Sequence, residues 1–207
     1  IRGAGDLLGG EQSGFINEIG FDTYQKILNE AIEELKENEF KDLYSENEAD
    51  KVYVKDVTID TDFELLFPDD YVNNIAERLS LYTQLNSLKT EDEVQKFETE
   101  LIDRFGELPI QVTDLLNSVQ IKWIATKLGF EKIIMKQGKF IGYFINDQQS
   151  HFYQSSSFTK VLQFVQKNPQ ACKMKEKQTR NGLRLLLTFE SIKSVKQALA
   201  VLKPIMA

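Results

Sequence analysis

At 207 residues, with 42% hydrophobic and 28% charged positions, the chain can bury one good-sized core or a smaller appendage plus a domain, in ordinary globular proportions. One cysteine, Cys172, excludes an internal disulfide and fits a reducing, intracellular compartment, and no run approaches the about 18 apolar residues of a membrane span. A formal charge of −7 argues against a self-sufficient nucleic-acid binder, which shows a basic face, and suits either docking onto a basic protein surface or plain solubility.

The chain opens on a glycine-rich run, with glycines at 3, 5, 9, 10, 14 and 20, one fixed cation (Arg2) and one amide fork (Gln12). Such a segment has little side chain to bury and allows close approach of backbone to a partner. It has no initiator Met and starts in mid-motif, so it reads as a piece of something larger. Residues 22–36 then carry a helical stripe of Tyr24, Ile27, Leu28, Ala31, Ile32 and Leu35, with Asp22 and Gln25 as a cap pair. From Lys36 to Lys51 the composition turns to Glu, Asp, Asn and Lys without helical period. The expected organisation is therefore an N-terminal piece over 1–36, a linker over 37–51 and a second unit over 52–207.

In the second unit Val52, Val54, Val57 and Ile59 predict an extended or strand segment before Phe67. Pro68-Asp69-Asp70 is expected to open a helix, its acids favouring the helix dipole, with Tyr71, Ile75, Leu79, Tyr82 and Leu85 inward. Thr90-Glu91-Asp92-Glu93 is a capping box, and Val94, Phe97, Leu101 and Phe105 continue an apolar face to a stop at Gly106. Pro109 fits the first turn of a further helix with Val112, Leu115, Leu116, Val119, Trp123 and Ile124 inward, ending at Gly129. Phe130–Met135 and Phe140–Ile145, joined through Gln137-Gly138, predict a hairpin. Ser155–Lys167 reads as an amphipathic helix with Phe158, Val161, Leu162 and Val165 inward. Cys172–Lys177 and Leu183–Phe189 predict a second hairpin with Asn181-Gly182 at its turn. Ser191 is expected to cap a last helix carrying Ile192, Val195, Leu199 and Leu202. The fold class expected is α+β, a helical part packed with a small, mostly antiparallel sheet covered by helices on one face.

Catalytic patterns are missing. There is no Gly-x-x-x-x-Gly-Lys-Ser/Thr loop to cradle phosphates. The single His151 and single Cys172 cannot build a zinc site between them. Ser155-Ser156-Ser157 lacks a placed histidine base and reads as a helix cap. Asp60, Asp62 and Glu64 could offer oxygens to a divalent cation, but a solvated strand face is the plainer reading. Trp123 sits on an apolar stripe. The expectation is no catalytic residue, no metal and no cofactor in this chain.

Two blocks carry a family resemblance. The glycine-rich run with its Arg2 and Gln12, extending through 1–35, resembles the translocation motif that follows the second ATPase lobe of RecG-type DNA translocases. Phe67-Pro68-Asp69-Asp70-Tyr71 and Leu101-Ile102-Asp103-Arg104-Phe105-Gly106-Glu107-Leu108-Pro109 are similar to the bacterial transcription-repair coupling factors (Mfd). Gly10 departs from the acid of the family motif, and beyond Pro109 the similarity is one of pattern only.

The resemblance implies an ATP- and Mg²⁺-dependent double-stranded DNA motor that pushes stalled RNA polymerase off its template and recruits the excision-repair protein UvrA, in the cytoplasm and without membrane contact. Residues 1–36 would be the tail of the second motor lobe, with Arg2 and Gln12 coupling ATP state to stepping. Residues 52–207 would be a regulatory domain docking on a UvrB-like module and covering its UvrA-binding surface, with Glu100 and Asp103 as matching acids of that contact. Two competing readings are that 52–207 binds nucleic acid or damage itself, against which the acidic balance speaks, and that the chain is a free-standing adaptor without a motor.

Overall fold

The computed structural model describes residues 53–179 and 182–206, which all fall in the second of two units into which the chain divides, Glu48–Ala207. Arg2, Gln12, the first predicted helix and the linker lie outside the described residues, as does Asn181 of the second predicted turn.

The unit is α+β. A helical part comprises α1 (Ile75–Ser87), α2 (Glu91–Phe105) and α3 (Ile110–Lys127). The sheet part comprises β1 (Thr58–Thr61), β2 (Phe130–Lys136), β3 (Lys139–Phe144), β4 (Cys172–Thr179) and β5 (Gly182–Glu190), with α4 (Ser156–Lys167) and α5 (Val195–Met206). The five strands run in the order β1-β2-β3-β5-β4. Both predicted hairpins are present, and β1 adds to β2 in parallel at the edge. Among the described residues, the strand predicted between Val52 and Phe67 covers Thr58–Thr61; Val54 and Val57, before it, are buried in the sheet core as irregular chain. Gln137 and Gly138, at φ 53° and 71°, make the tight β2–β3 turn, whose twist needs positive φ at both positions.

Alternation along the strands divides the sheet into two faces. Ile133, Met135, Phe140, Leu187, Phe189 and Cys172 point inward and share one core with Ile121 and Ala125 of α3, Val161 of α4, and Val195, Ala198 and Leu202 of α5. Helices therefore cover one face, as the sequence predicts. Gly142 sits in that face because a Cβ there would lie 2.7 Å from the Phe130 ring. A second core holds the helical part together through Phe67, Val72, Leu81, Leu85, Val94, Phe97 and Leu101. Helix α3 belongs to both. Val112, Leu115 and Leu116 fill the helical core, while Ile121 and Ala125, one to two turns on, fill the sheet core. Trp123 is only partly buried, against the helical cluster.

Four predicted details are corrected. Pro68 to Tyr71 form a turn, with the N–H groups of Tyr71 and Val72 donating to the Pro68 carbonyl at 3.1 and 3.0 Å. The helix starts later, at Ile75, because Asn74 Oδ1 accepts from the Glu77 N–H and caps it. Leu81 and Leu85 then turn inward, and Ile75 and Leu79 of the predicted stripe stand 67% and 63% exposed. The last helix is capped by Ser194, whose Oγ accepts from the Gln197 N–H; Ser191 instead has φ 63° and precedes the buried Ile192. Leu162 of α4 is exposed, and Val161 is that helix's buried anchor.

Candidate interaction surface

Helix α2 carries the predicted contact acids, and its shape follows from local chemistry. Thr90 Oγ1 accepts from the Glu93 N–H at 3.2 Å while Glu93 Oε2 accepts from the Thr90 N–H at 3.2 Å, closing the predicted box. These bonds, together with one from the Lys89 N–H, hold the Glu93 carboxyl below its ordinary range, the Lys89 bond contributing most. At the other end Gly106 adopts φ 88° and its N–H returns to the Ile102 carbonyl, which stops the helix.

Two runs that carried the resemblance, Phe67–Tyr71 and Leu101–Pro109, meet at this end. Tyr71 Oη donates to the carbonyls of Leu101 and Gly106, each at 3.2 Å, and its ring packs 5.6 Å from that of Phe105. Burial raises the Tyr71 phenol, which keeps it a donor. Phe67 stacks edge-on against Tyr82 at 4.9 Å, and its N–H donates to Tyr82 Oη. Asp69 pairs with Arg78 at 2.6 Å. The conspicuous Phe-Pro-Asp-Asp-Tyr run is thus a clasp on the C-terminal end of α2.

Glu100 and Asp103 sit differently from one another. Glu100 leans toward α1: Oε2 accepts from Gln84 Nε2 at 3.2 Å and Oε1 pairs with Arg104 at 2.9 Å. Arg104 is shared, its second nitrogen reaching Glu77 at 2.5 Å while the guanidinium lies 4.9 Å over the Phe105 ring. Asp103 points away from the bundle, exposed, with no hydrogen bond or ion pair among the described residues. Beside it Ile102 stands 46% exposed.

The other candidates resolve into structural roles. Ser155 Oγ accepts from the Phe158 N–H and caps α4. Cys172 is buried, and burial pushes its thiol above the ordinary value, so it is not poised as a nucleophile. His151 is exposed in a short 3-10 turn (His151–Gln154) that the sequence reading missed. Asp60 pairs with Lys136, which lowers its carboxyl; Asp62 accepts from the Gln137 N–H and Glu64 from Gln111 Nε2. Each of the three carboxylates is therefore engaged separately, and no cluster of three or more metal-ligating side chains occurs among the described residues. No helix among them is long and apolar enough to cross a membrane.

One signal was missed by averaging. Residues 130–207 hold thirteen Lys and Arg against four Asp and Glu, while residues 1–129 hold twelve against twenty-eight. The overall −7 is the sum of a −16 part and a +9 part, and a split of this size was legible in the sequence.

The fold defines the class only as α+β, and likeness to known proteins takes it further. Residues 61–155 match the family model of the TRCF domain. The chain is 32% identical over 200 residues to the transcription-repair-coupling factor of Rickettsia prowazekii, covering 96% of this chain and 16% of that protein. It is 39% identical over 136 residues to that of Escherichia coli, covering 64% and 11%. A crystal structure of the C-terminal domain of transcription-repair coupling factor shares the fold, with a TM-score of 0.52 at 19% identity over 73% of this chain and 88% of that one. The chain belongs to the transcription-repair coupling factor family. It spans only 11–16% of the length of the curated relatives it matches.

Proposed function

We propose that this chain is the C-terminal part of an ATP-driven double-stranded DNA translocase that removes RNA polymerase stalled at lesions and recruits excision repair. In this reading residues 1–36 are the tail of the second motor lobe, where Arg2 and Gln12 couple ATP state to stepping. Residues 37–51 are a linker. Residues 52–207 regulate: they dock on a UvrB-like module of the same protein and compete with UvrA for that surface. The chain itself is not an enzyme and holds no cofactor; ATP and Mg²⁺ belong to the motor lobes of the whole protein, which works in the cytoplasm.

The observation that supports the regulatory role is Asp103. Its carboxylate is unpaired among the described residues, and it sits beside an exposed isoleucine on a helix end that Tyr71 and Gly106 hold in place. An outward acid next to apolar surface suits a basic partner surface, and Glu100 one turn away borders the same patch. The coupling half of the proposal is tested in the full-length protein. Arg2→Ala or Gln12→Ala abolishes displacement of a third DNA strand while ATP hydrolysis survives; a parallel fall of both activities contradicts coupling.

A further inference from the structure

The face of the sheet turned away from the helices has a chemistry of its own. Ile134, Ile141, Tyr143 and Leu186 belong to neither hydrophobic core, although Leu186 is only 7% exposed. Strand register puts them together, because Tyr143 lies opposite Leu186 and Ile141 opposite Ile134. Cations flank this apolar strip on both sides. Lys132 neighbours Tyr143 on β2, while Lys173, Lys175 and Lys177 alternate along β4, with Lys175 opposite Leu186.

Lys173, Lys175 and Lys177 carry no ion pair or hydrogen bond among the described residues, and Lys132 makes none within contact distance, acting on Asp60 only from farther away. Of the carboxylates near them, Asp60 pairs with Lys136 and Glu131 with Arg184, while Glu176 takes the alternate position on β4, opposite Leu185, and so faces the other side of the sheet. Tyr143 is half-buried in the middle strand, with no ring neighbour and no partner for its hydroxyl among the described residues. Lysines on an edge strand such as β4 also discourage strand addition. That reason does not extend to Lys132, which lies on an inner strand.

We propose that this sheet face, which none of the described helices packs against, binds single-stranded nucleic acid, with phosphates along the β4 lysines and at Lys132 and bases on Tyr143 and the half-buried Ile134 and Ile141. The lysines of β4 repeat every two residues, about 6.7 Å apart along a strand, a period close to that of successive phosphates in an extended single strand. A tyrosine between Lys132 and the β4 lysines offers a π surface that any unpaired base can stack on. A duplex hides its base faces and would leave the ring and the apolar strip uncovered, and an acidic polypeptide would leave the ring without a stacking partner. The +9 charge of residues 130–207 supplies the long-range attraction that the whole-chain value conceals. This goes beyond the regulatory contact proposed above, which lies on α2, and does not depend on it.

The test titrates the full 207-residue chain into a fluorescein-labelled oligothymidylate at several salt concentrations. Binding is expected at low salt and weakens as salt rises. Lys173→Gln with Lys175→Gln and Lys177→Gln lowers the slope of log affinity against log salt by about 2, at about 0.7 per lost phosphate contact. Tyr143→Val, which keeps a strand-forming residue, weakens binding about tenfold at constant slope. Thermal melts confirm that both variants remain folded. Absence of binding at low salt overturns the proposal, as does binding unmoved by either variant. Equal affinity for a duplex or for polyglutamate, with Tyr143→Val silent, also overturns it and marks the face as a charge-driven surface for another class of partner.

Discussion

Arg104 and Glu100 form an ion pair of 2.9 Å across one turn of α2, and the same guanidinium holds Glu77 of α1. The pair stitches two helices, so Glu100 is not a free contact group. Glu100→Arg places two guanidinium groups one turn apart and removes the Gln84 contact, which destabilises the chain. These groups are about two-fifths exposed, so screening keeps the loss within about 1 kcal/mol. Asp103→Arg touches none of these partners and leaves the melting temperature unchanged. Thermal melts of the two single variants, side by side, check this.

Asp114 on α3 is only 7% exposed and has no hydrogen bond or ion pair among the described residues. Burial raises its carboxyl above the ordinary value. The folded chain therefore keeps a proton that the unfolded chain releases. The stability this contributes is complete below the ordinary carboxylate pKa and is lost as pH rises through the raised folded value. Asp114→Asn should raise stability at pH 7 by on the order of 1 kcal/mol, or about 2–4 °C, and the gain should vanish in acid. Melts of both proteins across pH 4–8 (a range of about four units) give the difference directly.

The capping box titrates in the opposite sense. Glu93 is held below its ordinary range, so its contribution is full above the unfolded carboxylate pKa and disappears as pH falls through the folded one. Thr90→Ala removes the reciprocal bond and is expected to cost about 1 kcal/mol. Chemical denaturation at neutral pH measures that cost.

Gly142→Ala tests the packing of the sheet core. The added methyl would sit 2.7 Å from the Phe130 ring, and Phe130 is itself fully buried against Phe140 and Phe144. Overpacking of this kind costs about 1–3 kcal/mol. A denaturation midpoint equal to that of the parent chain would show that the ring can move aside.

Much of the architecture was legible because local rules and tertiary packing agree. Thr90 and Glu93, Gly106, Gln137-Gly138 and Ser155 each carry a local instruction that the fold obeys. The failures come where a nearby alternative wins. Asp69 looked like a first-turn acid but serves Arg78, and Asn74 takes over as the cap. Ser191 looked like a cap but bends the chain so that Ile192 can be buried, leaving the role to Ser194, three residues on. Periodicity could not orient α1, because Tyr71 is drawn out of its stripe by the carbonyls at the end of α2. For the candidate contact, sequence spacing put Glu100 and Asp103 on one face. Only the fold reveals that Arg104 claims the first and leaves the second free.

The proposed regulatory role requires that the outward acid of α2 help hold residues 52–207 on a UvrB-like module. Its most direct test is capture of UvrA by the full-length protein carrying Asp103→Arg. An exposed ion pair contributes about 0.2–1 kcal/mol, so loss and reversal of this charge should raise UvrA capture up to about fivefold, and further if the contact is desolvated. The melt of the domain should not change. Capture equal to that of the unaltered protein, with the melt unchanged, would contradict the claim and return Asp103 to a solvated helix face.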